Sequence, residues 1–359
     1  MKILFYTDVH FCKSSSIVTG RGKRFSTRLE NIIESLNWAE NLGKEKRVAK
    51  TICLGDFFDR PNLNDEELTA LNSIEWNDGS EHIFLVGNHE AVNQSLAFSS
   101  TQALTSVRGG VIQDTIGLID ADEHSQIMFL PYVTEDSRKM ISDYDAFANG
   151  RDKSKKLIIC SHNDIKGIRY GAFESKQGFD LADIESSCDL FVNGHLHNGD
   201  WLNGKKTILN LGNLTGQNFS EDAFRYKHQA MILDTDGLSV EFHENPFAMN
   251  FYKIQVACEA DIKKLDRIKG NAVLSVKCSE AVADKLEAAL DGMSGRIVER
   301  KVTMYSESGG LQAADSSELV RVDNHLDQFR QFIMTRDDDE FADRDLVMSE
   351  LTEVCRQGD

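Results

Sequence analysis

Proline is scarce in this chain of 359 residues: Pro61, Pro131 and Pro246 are its three examples. Element ends must therefore be read from glycine and polar clusters. The seven cysteines (Cys12, Cys53, Cys160, Cys188, Cys258, Cys278 and Cys355) are odd in number, scattered and without a C-x-x-C pair, which argues against a disulfide framework and a zinc ribbon. Cys53 and Cys160 lie in apolar runs and read as reduced core thiols. No apolar run approaches the roughly 18–20 residues of a membrane span, and the opening MKILFYTDVH has neither a signal-peptide apolar region nor a cleavage site. The expectation is a cytoplasmic protein without membrane contact. Basic residues are outnumbered, 40 Lys and Arg against 58 Asp and Glu, for a net charge of −18, which disfavours passive coating of nucleic acid. The deficit is uneven. Residues 1–50 hold ten basic side chains against five acidic, whereas residues 311–359 hold five against thirteen. Lys13, Arg21, Lys23, Arg24 and Arg28 follow one another with no acid between them, so one basic rim on an acidic body is compatible with the total.

Short β-branched and apolar runs recur along the first 240 residues. KILFYT (2–7), KTICLG (50–55), HIFLVG (82–87), IMFLP (127–131), LIICS (157–161), DLFVNG (189–194), TILNLG (207–212) and QAMILD (229–234) read as buried strands. Between them, 26–43 opens on Ser26 as an N-cap and sets Leu29, Ile32, Ile33 and Leu36 on one face, and 64–77 opens on Asn64 with Asp65, Glu66 and Glu67 in its first turn. The alternation predicts an α/β layered core, with polar clusters at the ends of its strands. After residue 250 the pattern becomes a small β-α-β-α-β unit: strands at 251–257, 272–279 and 295–306, with helices near 259–269 and 280–292. The stretch 306–317 reads as a linker. Beyond it, Leu319, Val322, Leu326, Phe329 and Ile333 line one helix, and Leu346, Leu351 and Val354 a second. No internal repeat is evident.

Five short motifs follow the strands in order: Asp8-Val-His10, Gly55-Asp56-Phe-Phe-Asp59, Gly87-Asn88-His89-Glu90, Ser161-His162 and Gly194-His195-Leu-His197. Each alone occurs by chance in many chains, and a single histidine is usually a surface or core residue. Together they supply two carboxylates, an amide oxygen and four imidazoles besides His89, the donor set for two closely spaced divalent cations. Two cations roughly 3.5–4 Å apart need a bridging carboxylate against their repulsion, and such a pair activates water and clamps phosphate oxygens. Mixed oxygen and nitrogen donors suit Mn²⁺ as well as Zn²⁺ or Fe²⁺, with no thiolate to select a softer metal. In Gly-His-x-His, period-two alternation would point both imidazoles the same way.

This ordered set, over roughly residues 1–240, resembles the calcineurin-like metallophosphoesterase superfamily. The tandem GHLH and the appended C-terminal units are most similar to the nuclease subunits of SbcCD-type DNA repair and recombination complexes, including phage exonuclease subunits. The resemblance implies an α/β (α+β) fold: a β-sandwich flanked by helices over 1–245, a small α/β capping domain at 250–306 that positions DNA, a linker at 307–317, and a C-terminal helical pair at 318–359 that docks on an SbcC-like coiled-coil ATPase. It further implies that Asp8, His10, Asp56 and His197 hold one metal and that Asp56, Asn88, His162 and His195 hold the other, with Asp56 bridging. His89 would stand beside the scissile phosphate, with Asp59 and Glu90 as further catalytic candidates. The expected cofactors are two Mn²⁺ ions, with Mg²⁺ as the alternative. The expected assembly is a homodimer within a heterotetramer, in a bacterial cell or a phage-infected host.

Two residues depart from the nuclease pattern. Family nucleases usually read GNHD where this chain has Glu90, and Gly55-Asp-Phe-Phe-Asp59-Arg60 is similar to the phosphatase G-D-x-x-D-R run. Both favour a phosphomonoesterase acting on phosphoprotein or small molecules. Against that, His162 lies in SHND rather than in an H-G-G run, and GHLH is the nuclease and phosphodiesterase form. A third alternative, a catalytically silent scaffold for the ATPase, is disfavoured by the complete donor set, whose buried polar groups would otherwise be unpaired. DNA contacts are expected from Lys13, Arg21, Lys23 and Arg24 beside His10, and from Lys166 and Arg169 in the polar segment after His162. The turn Gly212–Thr215 is loosely similar to one that helps close the site in the family.

Overall fold

The computed structural model describes residues 1–305 except 14–16, 93–94, 108–109 and 171–172, and residues 1–305 form one compact unit. The expected linker and helical pair, 307–359, lie outside the described residues. Two six-stranded sheets face each other. The first runs in the order 239–244, 229–234, 2–6, 50–53, 81–85, 111–113, and the second 200–201, 208–210, 190–193, 156–161, 125–130, 117–120. In the first sheet, 2–6, 50–53, 81–85 and 111–113 pair in parallel, while 229–234 runs antiparallel to both 2–6 and 239–244; in the second, the central strands pair in parallel and both edge strands are antiparallel.

Period-two alternation builds the layers. Ile3 and Phe5 point between the sheets with Ile52, Ile83, Ile127, Phe129, Ile158, Val192 and Leu209, forming the sandwich core. Leu4 and Tyr6, on the opposite face, meet Leu29, Ile32 and Leu36 of the helix Thr27–Lys46. Across the second sheet, Met128, Ile159 and Phe191 meet Ile184 of a short outer helix. The result is a helix-sheet-sheet-helix sandwich rather than an open sheet. The long helix begins where Ser26 accepts the Leu29 N–H, and the next, Asp65–Leu71, begins with a capping box between Asn64 and Glu67. The second helix stops six residues short of the sequence expectation because Ile74 and Trp76 turn inward. Trp76 packs on Phe57 and Phe84 beneath the first sheet.

Residues 250–305 form three parallel strands in sequential order, Asn250–Val256, Ala272–Ser279 and Ile297–Tyr305. The expected helix near 259–269 is a 3-10 helix, Glu259–Arg267. Its apolar residues Ile262, Leu265 and Ile268 recur every three positions, which matches three residues per turn. The second connection is the α-helix Ala283–Asp291. This unit is fused to the sandwich: Phe224 packs on Tyr252, Val18 packs with Met249, Phe251 and Val273, and the Ala223 N–H donates to the Phe251 carbonyl at 3.2 Å. Among the described residues no helix is long and apolar enough to cross a membrane.

Candidate metal centre

All five motifs leave the carboxyl ends of strands in the two facing sheets and converge at one end of the sandwich. Four of their residues are forced into left-handed backbone: Asp8 (φ 50°), His10 (φ 45°), Asp56 (φ 48°) and His195 (φ 71°). Asp and His tolerate that region better than most residues, yet each such position costs roughly 1–3 kcal/mol. Cross-ties between the loops hold the strain. The Asp8 and His10 N–H groups donate to the carbonyls of Gly55 and Asp56 at 3.1 and 3.0 Å, and the His195 N–H donates to Asp8 Oδ2 at 3.0 Å. Gly87 is required by close approach, since a Cβ there would lie 2.1 Å from Asp56 Oδ1. Gly55 (φ 113°) is required twice over, because its Cβ would also strike the His162 ring at 2.4 Å.

The outer nitrogen of each ring fixes its tautomer. His162 Nδ1 donates to the Leu54 carbonyl at 2.8 Å, His10 Nδ1 to Asp59 Oδ1 at 3.0 Å and His197 Nδ1 to Glu221 Oε1 at 2.7 Å. Each Nε2 is thereby turned toward the carboxylates. His162 Nε2 lies 3.1 Å and His10 Nε2 3.7 Å from Asp56 Oδ2, and His197 Nε2 lies 3.9 Å from Asp8 Oδ1. Donor atoms of Asp8, His10 and His197 sit within 4.8 Å of one another, as do those of Asp56, His162 and His195. The two histidines of GHLH therefore serve different clusters, contrary to simple alternation. The left-handed turn at His195 and the buried Leu196 between them separate the rings. His195 presents Nδ1 to Asn88 Oδ1 at 3.0 Å while its Nε2 lies 3.4 Å from Asp164 Oδ1.

Asp8 Oδ1 and His10 Nε2 are buried and have no hydrogen-bond partner among the described residues. Burying such groups unpaired is costly, and both belong to the facing clusters, so the donor set fits cations that would satisfy them. Electrostatics agree. Burial would raise the Asp56 carboxyl, but His162, His10 and His89 hold it far below the usual carboxylate range. Burial would lower His162, yet Asp56, Asp8 and Glu90 raise it to about 9. His197 is likewise raised to about 9 against its burial, by Glu221 first and then Asp8 and Asp56. Burial depresses His10 despite its carboxylate neighbours.

His89 is exposed at the mouth. Its N–H donates to Asp56 Oδ1 at 3.1 Å and its Nδ1 to the Asp59 carbonyl at 3.1 Å, which frees Nε2. His10, Asp59 and His89 also lie within a third donor grouping. Glu90 is fully buried, where its oxygens accept from Phe58 N–H at 3.0 Å and Gly87 N–H at 2.8 Å, tying two motif loops together. Burial, with the Asp56 charge beside it, raises its carboxyl to about 7. Of the expected DNA contacts, Arg21 pairs with Glu66 at 2.8 Å, Lys13 with Glu66 at 3.6 Å and Lys166 with Asp180 at 3.5 Å. Arg24 lies over the Phe25 ring, Lys23 is exposed and Arg169 falls in the short strand Arg169–Tyr170. Arg28 is buried and donates to the Gly216 carbonyl at 2.6 Å.

The N-terminal residues 1–199 match the family model for calcineurin-like phosphoesterases, more than half of the chain. The chain belongs to this family. Its members use two divalent cations, the arrangement that the two donor clusters fit. Among solved structures, a dimetal phosphatase from Danio rerio is similar at 12% identity, covering 68% of this chain and 98% of that one with a TM-score of 0.39. Vps29 from Entamoeba histolytica is similar at 13% identity, covering 68% and 99% with a TM-score of 0.29. No curated protein sequence matches the chain.

Glu221 and Asp164 are absent from the sequence-based site. Glu221 follows His197 by 24 positions and reaches it only through the fold. It is buried, and besides His197 it accepts from Asn213 Nδ2 at 3.0 Å, in the Gly212–Thr215 turn, and from Gln217 N–H at 2.8 Å. Asp164 was within reach of sequence reasoning, two residues after His162 in SHND.

Proposed function

We propose that this phosphoesterase is a manganese-dependent DNA nuclease acting with an SbcC-like coiled-coil ATPase, as a homodimer within a heterotetramer, in the cytoplasm of a bacterial cell or phage-infected host. The observation that supports this most is the 250–305 unit pinned directly to the site's own loops. Its first strand holds Ala223, two residues from Glu221, and its third accepts the Thr19 N–H on Glu299 Oε2 at 3.4 Å, in the basic loop that follows His10. A second folded unit bound beside the candidate ligands suits a polymeric substrate that must be positioned. The double-histidine GHLH points the same way.

Asp8, His10, Asp56 and His197 would hold one cation, and Asp56, Asn88, His162 and His195 the other. When bound, the pair supplies Lewis acidity toward the phosphate and toward an attacking water. His89, with Nδ1 committed to Asp59, offers Nε2 at the open mouth to bind the phosphate or protonate the leaving oxygen. Asp59 orients both His10, through its carboxylate, and His89, through its carbonyl. Glu90 acts through the loops it ties rather than by touching substrate.

The phosphomonoesterase reading rests on Glu90 and on Asp59-Arg60. Arg60 donates from Nη2 to Glu67 at 2.6 and 2.7 Å, which draws its guanidinium toward the second helix. The deciding measurement is Mn²⁺-dependent cleavage of end-labelled single- and double-stranded DNA, alongside p-nitrophenyl phosphate hydrolysis, with Asp56→Ala as control. DNA cleavage lost in the variant is expected. Robust monoester hydrolysis with intact DNA would overturn the nuclease in favour of the phosphatase. If Asp56→Ala leaves every activity of the assembled complex unchanged, the chain is a scaffold.

A further inference from the structure

A cleft of about 820 Å³ opens on the segment that leaves His162, and its lining includes Arg138, Lys139, Met140, Lys166, Lys176 and Phe179. It is built together with the metal centre. Asp164, which pairs with His195, is followed two residues later by Lys166 on the cleft wall. The Asn163 side chain accepts the Val133 N–H at 2.8 Å, and the Val133 carbonyl accepts from Arg138 Nη2 at 3.0 Å. Tyr132, between these, sets its ring 6.1 Å from that of His195.

The charges of the cleft are not balanced. Each of its three carboxylates is already engaged: Glu135 with Arg138, Asp180 with Lys166, and Asp183 with the Ile141 N–H. Lys139 and Lys176 are exposed on the wall and form no ion pair among the described residues. Beneath them Arg138 is only 9% exposed, its guanidinium lies over the Phe179 ring, and its Nε has no partner among the described residues. Met140, 58% exposed, adds an apolar surface, while Phe179 is buried beneath Arg138. Exposed cationic groups beside an exposed apolar side chain match a nucleotide chain, whose phosphates carry negative charge and whose bases are apolar on their faces. The volume falls in the range of sites for small ligands, about 300–1,000 Å³, so it suits a few nucleotides of one strand rather than a duplex.

We infer that this cleft is a binding subsite for the backbone of a single nucleic-acid strand running from the metal centre, with Lys139 and Lys176 as its phosphate contacts. The inference rests on the nuclease reading and deepens it. Its test is the charge reversal Lys139→Glu/Lys176→Glu in the full chain, probed with fluorescein-labelled oligothymidylate by anisotropy across a salt series. Bis(p-nitrophenyl) phosphate hydrolysis serves as the cleft-independent readout. We expect oligonucleotide affinity to fall by at least about tenfold. The salt slope should flatten by about 1.4, the value for two lost phosphate contacts on a single strand. Small-diester turnover should stay at the wild-type rate, and Lys139→Arg/Lys176→Arg should keep wild-type affinity. Unchanged affinity and slope in the Glu variant, with wild-type DNA cleavage intact, overturn the cleft alone. A wild-type chain that neither binds nor cuts DNA while hydrolysing monoesters overturns the nuclease reading, and the cleft inference with it. Loss of small-diester turnover along with affinity would place the lysines in support of the metal centre and would equally overturn the subsite.

Discussion

Glu221 does for His197 what the Leu54 carbonyl does for His162: it takes the Nδ1 proton and turns Nε2 toward the carboxylates. Partners of this kind typically change metal affinity 10–100-fold when removed. Glu221→Gln is therefore expected to weaken Mn²⁺ binding by about that factor in calorimetric titration, and also to lower the thermal transition of the metal-free chain, because Glu221 is the main partner that keeps His197 protonated there. Equal affinity would show that His197 needs no anionic partner. For His89→Ala, we expect bound metal to be retained and hydrolysis nearly lost. Loss of metal would instead make the His10–Asp59–His89 grouping a true coordination site. A pH dependence follows from the raised histidines. At pH 7 the metal-free chain keeps His162 and His197, each at about 9, largely protonated, and a cation must displace those protons. Mn²⁺ titrations at pH 7 in buffers of different ionisation enthalpy should show net proton release that diminishes above pH 9. A release that does not change with pH would contradict the raised values. The same protonation stabilises the metal-free fold. That contribution is complete below the unfolded value of about 6.5 and is lost as pH rises through about 9.

At the scale of elements, the local signals were strongest where side chains bond their own backbone. Ser26 and Asn64 cap the helices expected of them because the hydroxyl and the amide oxygen satisfy N–H groups that no helix can pair internally. Ser26→Ala should cost about 1 kcal/mol in denaturant unfolding of the full chain, and no measurable loss would mean that the packed face carries the start of the helix alone. All eight expected strands of the sandwich were legible because they are buried and nearly continuous in apolar character. The strands 111–113, 117–120, 200–201 and 239–244 were not, since they lie at the sheet edges, where polar residues such as Glu241, His243 and Asp200 interrupt the alternation. The length of the second helix and the 3-10 form of 259–267 depended on where Trp76 and Leu265 found their cores, which no local propensity encodes.

For the whole molecule, the arrangement that bears on function is the attachment of the 250–305 unit through the loop that carries Glu221. A shift of that unit would act on His197 by way of Ala223 and Glu221, without touching a candidate ligand directly. The segment 318–359, outside the described residues, is proposed as the ATPase contact. Its deletion should abolish co-purification with the ATPase while sparing Mn²⁺-dependent cleavage of simple substrates, and a truncated chain that still co-purifies would remove that assignment.

The sequence by itself determined the family, the donor inventory and the order of its motifs, because metal chemistry demands particular side chains and strand ends announce themselves locally. It also determined the main strands and both helix starts. The resemblance already divided the donors between two metals, whereas only the tertiary structure decided that a left-handed turn stands between His195 and His197 and that Glu221 and Asp164 stand behind them. The tertiary structure alone decided that Glu90 ties loops together inside the core and that two lysines at a cleft form no ion pair among the described residues. These are distances between residues far apart or differently turned along the chain, set by how the two sheets pack.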